Sequence, residues 1–141
     1  MARPNTAPIF PGQLDRVRGE VSGANTAFDG TGTIVEILEC PTTQPNGYLL
    51  RKIVIKAEST TTAGQIKLYL SPDGGTTWHP WHGVVVTAIT AAAGVLPFSA
   101  QLDDVNDAEM AGGLVLPSGW SLGAATHIAE VFEIHAEYGI L

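Results

Sequence analysis

His79 and His82 stand three residues apart in the run WHPWH (78–82), with Asp73 a short way upstream. Imidazole is the commonest metal ligand, and a metal centre needs three or four ligands that converge. Along a strand an odd spacing sends two side chains to opposite faces. The pair therefore predicts no metal centre. His127 and His135 share one face of the last long run, with Glu133 between them. At strand rise they lie about 26 Å apart, too far to share an ion. They read as surface or interface residues whose charge changes near neutral pH. Asp103, Asp104, Asp107 and Glu109 gather carboxylates of the kind calcium takes. The EF-hand's Gly at its sixth position and bidentate Glu at its twelfth are missing, so these residues read as a solvated loop.

Nucleophiles and acids fare no better. Cys40 precedes Pro41, with no adjacent His to take its proton. The serines sit in turns without a G-x-S-x-G elbow. Glu130 interrupts the apolar face of the last strand, with Arg51 as its candidate partner. A lone carboxylate is not the pair that glycoside hydrolysis uses. No G-x-G-x-x-G, phosphate-binding loop or zinc spacing is present. The expectation is a protein that is not an enzyme, with no catalytic residue, no cofactor and no metal.

The elements that would carry these residues are strands. GTIVEILE (32–39) is rich in β-branched residues. YLLRKIVIKAE (48–58) alternates Ile53, Ile55 and Ala57 against Lys52, Val54 and Lys56. GQIKLYLS (64–71) alternates Ile66, Leu68 and Leu70 against Lys67, Tyr69 and Ser71. WHGVVVTAIT (81–90), LPFSAQL (96–102), LVLP (114–117) and WSLGAAT (120–126) are shorter candidates. HIAEVFEIHAEYGIL (127–141) sets Ile128, Phe132, Ile134, Ala136 and Tyr138 against Ala129, Val131, Glu133, His135 and Glu137. Period-2 alternation with one polar face marks half-buried antiparallel strands. Turn chemistry separates the runs, and only DDVNDAEMAG (103–112) suggests a turn or two of helix. About eight strands predict an all-β, antiparallel sandwich or jelly roll. The expected core is Ile53, Ile55, Ile66, Leu68, Leu70, Trp120, Leu122, Phe132 and Ile134. Residues 1–31 hold three prolines, four glycines and few bulky apolar residues, without a sustained period. They read as an extended N-terminal arm, ordered only where it lies on something, before a sandwich over 32–141.

The chain has 141 residues, the size of one domain. Its single cysteine rules out an intrachain disulfide and suits a reducing compartment. MARPNTAPIF lacks the apolar stretch of a secretory signal, and no window approaches a membrane span. Synthesis in the cytosol and no membrane partner are the expectations. The net charge of −7 is uneven: all seven basic residues precede position 68, with six acids among them, and eight acids follow with no Lys or Arg. An acidic body repels phosphates, so no nucleic-acid role is expected.

SPDGGTTW (71–78) matches S-x-D-x-G-x-T-W and resembles the Asp-box of sialidases and other β-propeller proteins. A propeller needs at least about four blades of roughly 40–50 residues. This chain is too short for that, and it carries one copy. The stretch reads as a hairpin turn between two strands. Asp73 accepts from backbone N–H groups ahead of it, Gly74 or Gly75 supplies a positive φ, and Trp78 folds over the hairpin. Ser71, Asp73, Gly75, Thr77 and Trp78 are its defining residues, and the resemblance implies a folding device away from any catalytic centre.

LPSGWSLGAAT (116–126), closing on AEVFEIHA (129–136), resembles small jelly-roll virion proteins of tailed bacteriophages, over roughly residues 32–141. Pro117 ends a strand, Gly119 turns the chain, and Trp120 and Leu122 return to the core by alternation. The resemblance implies a capsid decoration or cement protein on the virion surface, made in the host bacterial cytoplasm. Its expected partners are the major capsid protein and two further copies of itself in a homotrimer. Arg3, Pro4, Ile9, Phe10, Arg16 and Arg18 are the expected capsid-binding residues of the arm, which carries +2 over its first 18 positions. The alternative is a tail-associated or host-glycan-recognition component, in which Tyr69, Trp78 and Trp81 form a lectin-like platform.

Overall fold

A computed structural model describes residues 11–105 and 107–141, without the side chain of Glu109. Nine strands are described: β1 (Gln13–Val21), β2 (Val35–Glu39), β3 (Tyr48–Ala57), β4 (Gly64–Ser71), β5 (His79–Val86), β6 (Ser99–Asp103), β7 (Leu114–Leu116), β8 (Ser121–Thr126) and β9 (Phe132–Ile140). One 3₁₀ turn, Ala108–Met110, is what the DDVNDAEMAG segment forms.

The pairing is nested. β1 pairs with β9, β2 with β8, β3 with β6, and β4 with β5, all antiparallel. That is one long antiparallel ribbon, folded at β4–β5 and then wound up. Lateral pairing of β9 with β3 and of β8 with β4 closes it into two sheets. The first has the order β1-β9-β3-β6, with short β7 also on β3; the second has the order β2-β8-β4-β5. Two facing antiparallel sheets wound this way are a jelly roll, as the strand count predicts.

Alternation fixes which residues face inward. Leu50, Ile53, Ile55, Phe132, Ile134 and Ala136 from the first sheet meet Ile66, Leu68, Leu122 and Ala124 from the second, and all are buried. Seven of the nine expected core residues are among the buried set; Leu70 and Trp120 are half-buried and pack on its edge. Phe98 stacks edge-on against Phe132 at 6.5 Å, which seals one end of the core.

Two expectations change. Residues 13–21, assigned to the arm, form the edge strand β1, paired with β9 over its whole length. The sandwich therefore begins at Gln13. The inward side of β1 carries Asp15, Val17, Gly19 and Val21, a mixture that gives no apolar alternation to read. Ile128 does not extend the last strand, because residues 127–131 turn the chain before β9 starts at Phe132.

Candidate interaction surface

Among the described residues, the outer face of the first sheet is charged and largely uncovered. β9 lies between β1 and β3, and β6 and β7 pair with β3, so each row of outward side chains spans four strands. One row runs Arg16, Glu137, Lys52, Asp103, the next Arg18, His135, Val54, Gln101, and the third Glu20, Glu133, Lys56, Ser99. A fourth row is apolar: Leu14 beside Gly139, then Leu49 and Val115. Leu14 is 57% exposed and Val115 51%.

Ion pairs bind part of this face together. Arg18 clamps Glu133 with two bonds, 2.5 Å from Nε and 2.6 Å from Nη2. Arg16 meets Glu137 at 3.2 Å. Arg18 holds the Glu133 carboxyl below the usual carboxylate range, chiefly through the hydrogen bond. Glu133 in turn bonds with Glu58 and pushes that carboxyl up. Glu20, Glu58 and Glu133 form the one group of three ligand-type side chains within 4.8 Å among the described residues. Nothing in the sequence marks it, because its members come from three separated segments. Lys52 and Lys56 have no carboxylate within ion-pair distance among the described residues. With Arg16, Val54, His135 and Glu137 they line a depression of about 240 Å³.

The outer face of the second sheet is covered by the chain itself. Residues 22–34 cross β8 and β4, entering by a bridge from Ala24 to Thr126. Buried Asn25 ties this strap: its Nδ2 donates to the Thr31 and Thr33 carbonyls at 3.0 Å, and its Oδ1 accepts from the Ala27 N–H. Lys67, outward on β4, is only 5% exposed. Its Nζ donates to the Asn25 and Ala27 carbonyls at 2.5 Å and lies 4.7 Å from the Phe28 ring centre. Burial pulls its pKa below that of an ordinary lysine. The part of the arm after β1 thus lies on its own domain.

The Asp-box stretch forms the expected hairpin turn between β4 and β5. Ser71 Oγ donates to Asp73 Oδ1 at 2.7 Å, and the same oxygen accepts from the Thr76 and Thr77 N–H groups. The Ser71 hydrogen bond, then that of Thr77, lowers the Asp73 pKa to about 2. Gly74 and Gly75 have φ of 74° and 99°, which a side chain would strain. The Trp78 ring crosses to Gly123 on β8, where an added Cβ would lie 2.7 Å from it.

The other candidates are scattered. Tyr69 is buried with its hydroxyl on the Ala27 carbonyl, Trp78 packs over Gly123, and Trp81 packs against the core. Tyr69 and Trp81 line one depression of about 320 Å³ together with Phe28 of the strap, whereas Trp78 is not among its lining residues. His79 is exposed, whereas His82 contacts Asp107 at 3.1 Å. Arg51 pairs with Asp104 and not with Glu130, whose carboxylate accepts from Thr62 N–H and Oγ1. Cys40 is fully buried, and burial raises its thiol pKa. His127 and His135 stand apart, the first against the Phe28 ring. Arg3, Pro4, Ile9 and Phe10 lie outside the described residues.

No family model matches the chain, and no curated protein matches it. Among solved structures, a chain of the cyanophage Pam1 capsid asymmetric unit is similar at a TM-score of 0.46 and 15% identity, covering 100% of this chain and 93% of that one. The tomato aspermy virus structure is similar at 0.43 and 11%, covering 99% and 88%. The SPBc2 prophage-derived protein YomS is similar at 0.34 and 13%, covering 94% and 100%. All three are too distant to assign a function.

Proposed function

We propose that this chain is a structural component of a phage particle, a decoration or cement protein that binds the outer capsid surface. The nested jelly-roll pairing carries the reading, joined to the resemblance of LPSGWSLGAAT and the strand after it. A single rigid sandwich with an open charged face works by contact area and complementarity. A clamp that binds only the assembled shell stabilises it by mass action. The partners in this reading are the major capsid protein and two further copies of the chain.

The arm in this reading shortens. Arg16 and Arg18 belong to β1 and are engaged by Glu137 and Glu133, so the capsid-binding role of the arm in this reading rests on residues 1–10, which lie outside the described residues. A truncation at residue 31 would remove an edge strand and the strap together. The informative truncation removes residues 1–11.

Co-sedimentation with undecorated phage capsids tests this. Full-length protein is expected to bind near one copy per capsid subunit, and the truncated protein to bind far less. Failure of the full-length protein to sediment with capsids would overturn the decoration role, and a glycan array would then test the tail-associated alternative.

A further inference from the structure

We propose that the depression between the strap and the β4–β5 hairpin, lined by Phe28, Gln65, Tyr69, Trp81 and His82, is a binding site for a sugar ring of a neutral oligosaccharide. Its volume of about 320 Å³ falls at the small end of ligand pockets. Segments remote in sequence build it. The β4–β5 pairing slips between Leu68 and Tyr69, which leaves Trp81 as an extra residue in β5. Such a bulge re-aims the side chain it carries, and the Trp81 ring stands edge-on to His82 at 5.7 Å. The strap supplies Phe28. Phe28 is 57% exposed, yet its ring is placed, with the Lys67 ammonium 4.7 Å from its centre and the His127 ring at 5.7 Å. An exposed ring already held in place removes part of the entropic cost of binding.

The ligand class follows from what lines the depression. Aromatic faces carry partial negative charge. The C–H groups on one face of a sugar ring carry partial positive charge, so the two stack. Gln65 offers a carbonyl acceptor and two N–H donors, and its side chain has no hydrogen-bond partner among the described residues. Neighbouring hydroxyls of a sugar use both kinds of group. No carboxylate lines the depression among the described residues, so nothing there recruits a cation. Lys67 also lines it, but its ammonium is buried and engaged by the Asn25 and Ala27 carbonyls, so an anion gains little. His82 is engaged too: one ring nitrogen contacts Asp107, and the other accepts from the Gly83 N–H. A neutral polyol with an apolar face fits these walls, and a sugar is such a molecule. A proline-rich peptide also stacks on aromatic rings, but its carbonyls meet only the donor half of Gln65.

The test places full-length protein on an array of neutral and sialylated oligosaccharides, with a decaproline peptide as a further probe. A neutral oligosaccharide is expected to bind. Titrated into isotopically labelled protein, it is expected to move the resonances of Phe28, Gln65 and Trp81. Its affinity is expected to fall about fivefold in Gln65→Ala and about tenfold in Phe28→Ala. Gln65→Ala removes no backbone contact of β4 and is expected to leave the unfolding midpoint unchanged, so loss of the fold does not mimic loss of the site. No neutral oligosaccharide bound, tighter binding of sialylated oligosaccharides or of decaproline at the same residues, or unchanged affinity in Gln65→Ala would each overturn the sugar site. Capsid co-sedimentation needs no sugar, so the decoration role and the sugar site stand or fall on separate measurements.

Discussion

The two sheets share one core and differ on their outer faces. Among the described residues, the first leaves most of its outer face uncovered and fills it with charge. The second buries the same kind of outward position: Lys67, Tyr69 and Ser71 on β4 are all buried. The covering is thirteen residues of the chain's own strap, residues 22–34, tied by hydrogen bonds to backbone carbonyls. A lysine on the first face is a contact group, whereas a lysine on the second is a structural post. The same residue type therefore has opposite value on the two sides.

Breaking the strap tests this contrast most severely. Asn25→Ala removes three hydrogen bonds at a buried position and leaves the Thr31 and Thr33 carbonyls and the Ala27 N–H without that partner. It is expected to cost about 3 kcal/mol in denaturant unfolding, with faster amide exchange along β4 and β8 but not along β1. Equal exchange in the two sheets would refute the strap as a distinct cover.

Gly123→Val puts a side chain against the Trp78 ring and Ile34 on the same face. Overpacking there is expected to cost about 1–3 kcal/mol, read by the same unfolding curve. Lys67→Met keeps the stem and removes the ammonium from the two strap carbonyls, with an expected loss of about 1–2 kcal/mol. Gain of stability would show that desolvating the cation outweighs its hydrogen bonds.

Asp73 tests the hairpin through pH. Its folded pKa of about 2 lies below the ordinary 3.8. Its contribution is thus present above pH 4 and lost as pH falls through about 2. Melting temperatures of wild type and Asp73→Asn are expected to differ at pH 6 and to converge near pH 2. Parallel curves would show that ionised Asp73 does not hold the turn. The smallest effect belongs to the open face, where K52Q/K56Q is expected to change stability by less than about 0.5 kcal/mol, although it removes two positive charges.

The strands that could be read from the chain are those with one polar side. β3 and β9 alternate cleanly, and β4 is read to its end residues, Gly64 and Ser71. β1 is missed because an edge strand with Asp15 and Gly19 facing inward has no apolar period to detect. Gly19 is small for a reason only packing shows: an added Cβ would collide with the Ile37 side chain. The platform of Tyr69, Trp78 and Trp81 looked plausible from aromatic spacing. The structure brings Tyr69 and Trp81 to one depression, while the strap, remote in sequence, takes the Tyr69 hydroxyl and Trp78 packs over Gly123.

Local chemistry determined the strands other than β1, the SPDGGTTW hairpin and the jelly-roll class, since alternation and turn residues act over a few positions. The asymmetry of charge was also plain in the chain, but its meaning was not. Lys52 and Lys56 came to line one depression with Arg16, His135 and Glu137 only when β9 paired with both β1 and β3. The carboxylate cluster of Glu20, Glu58 and Glu133 needed the same register. Long-range pairing decides which charges meet, because Coulomb energy depends on distance in space, and residues 16 and 137 are neighbours only after the ribbon is wound.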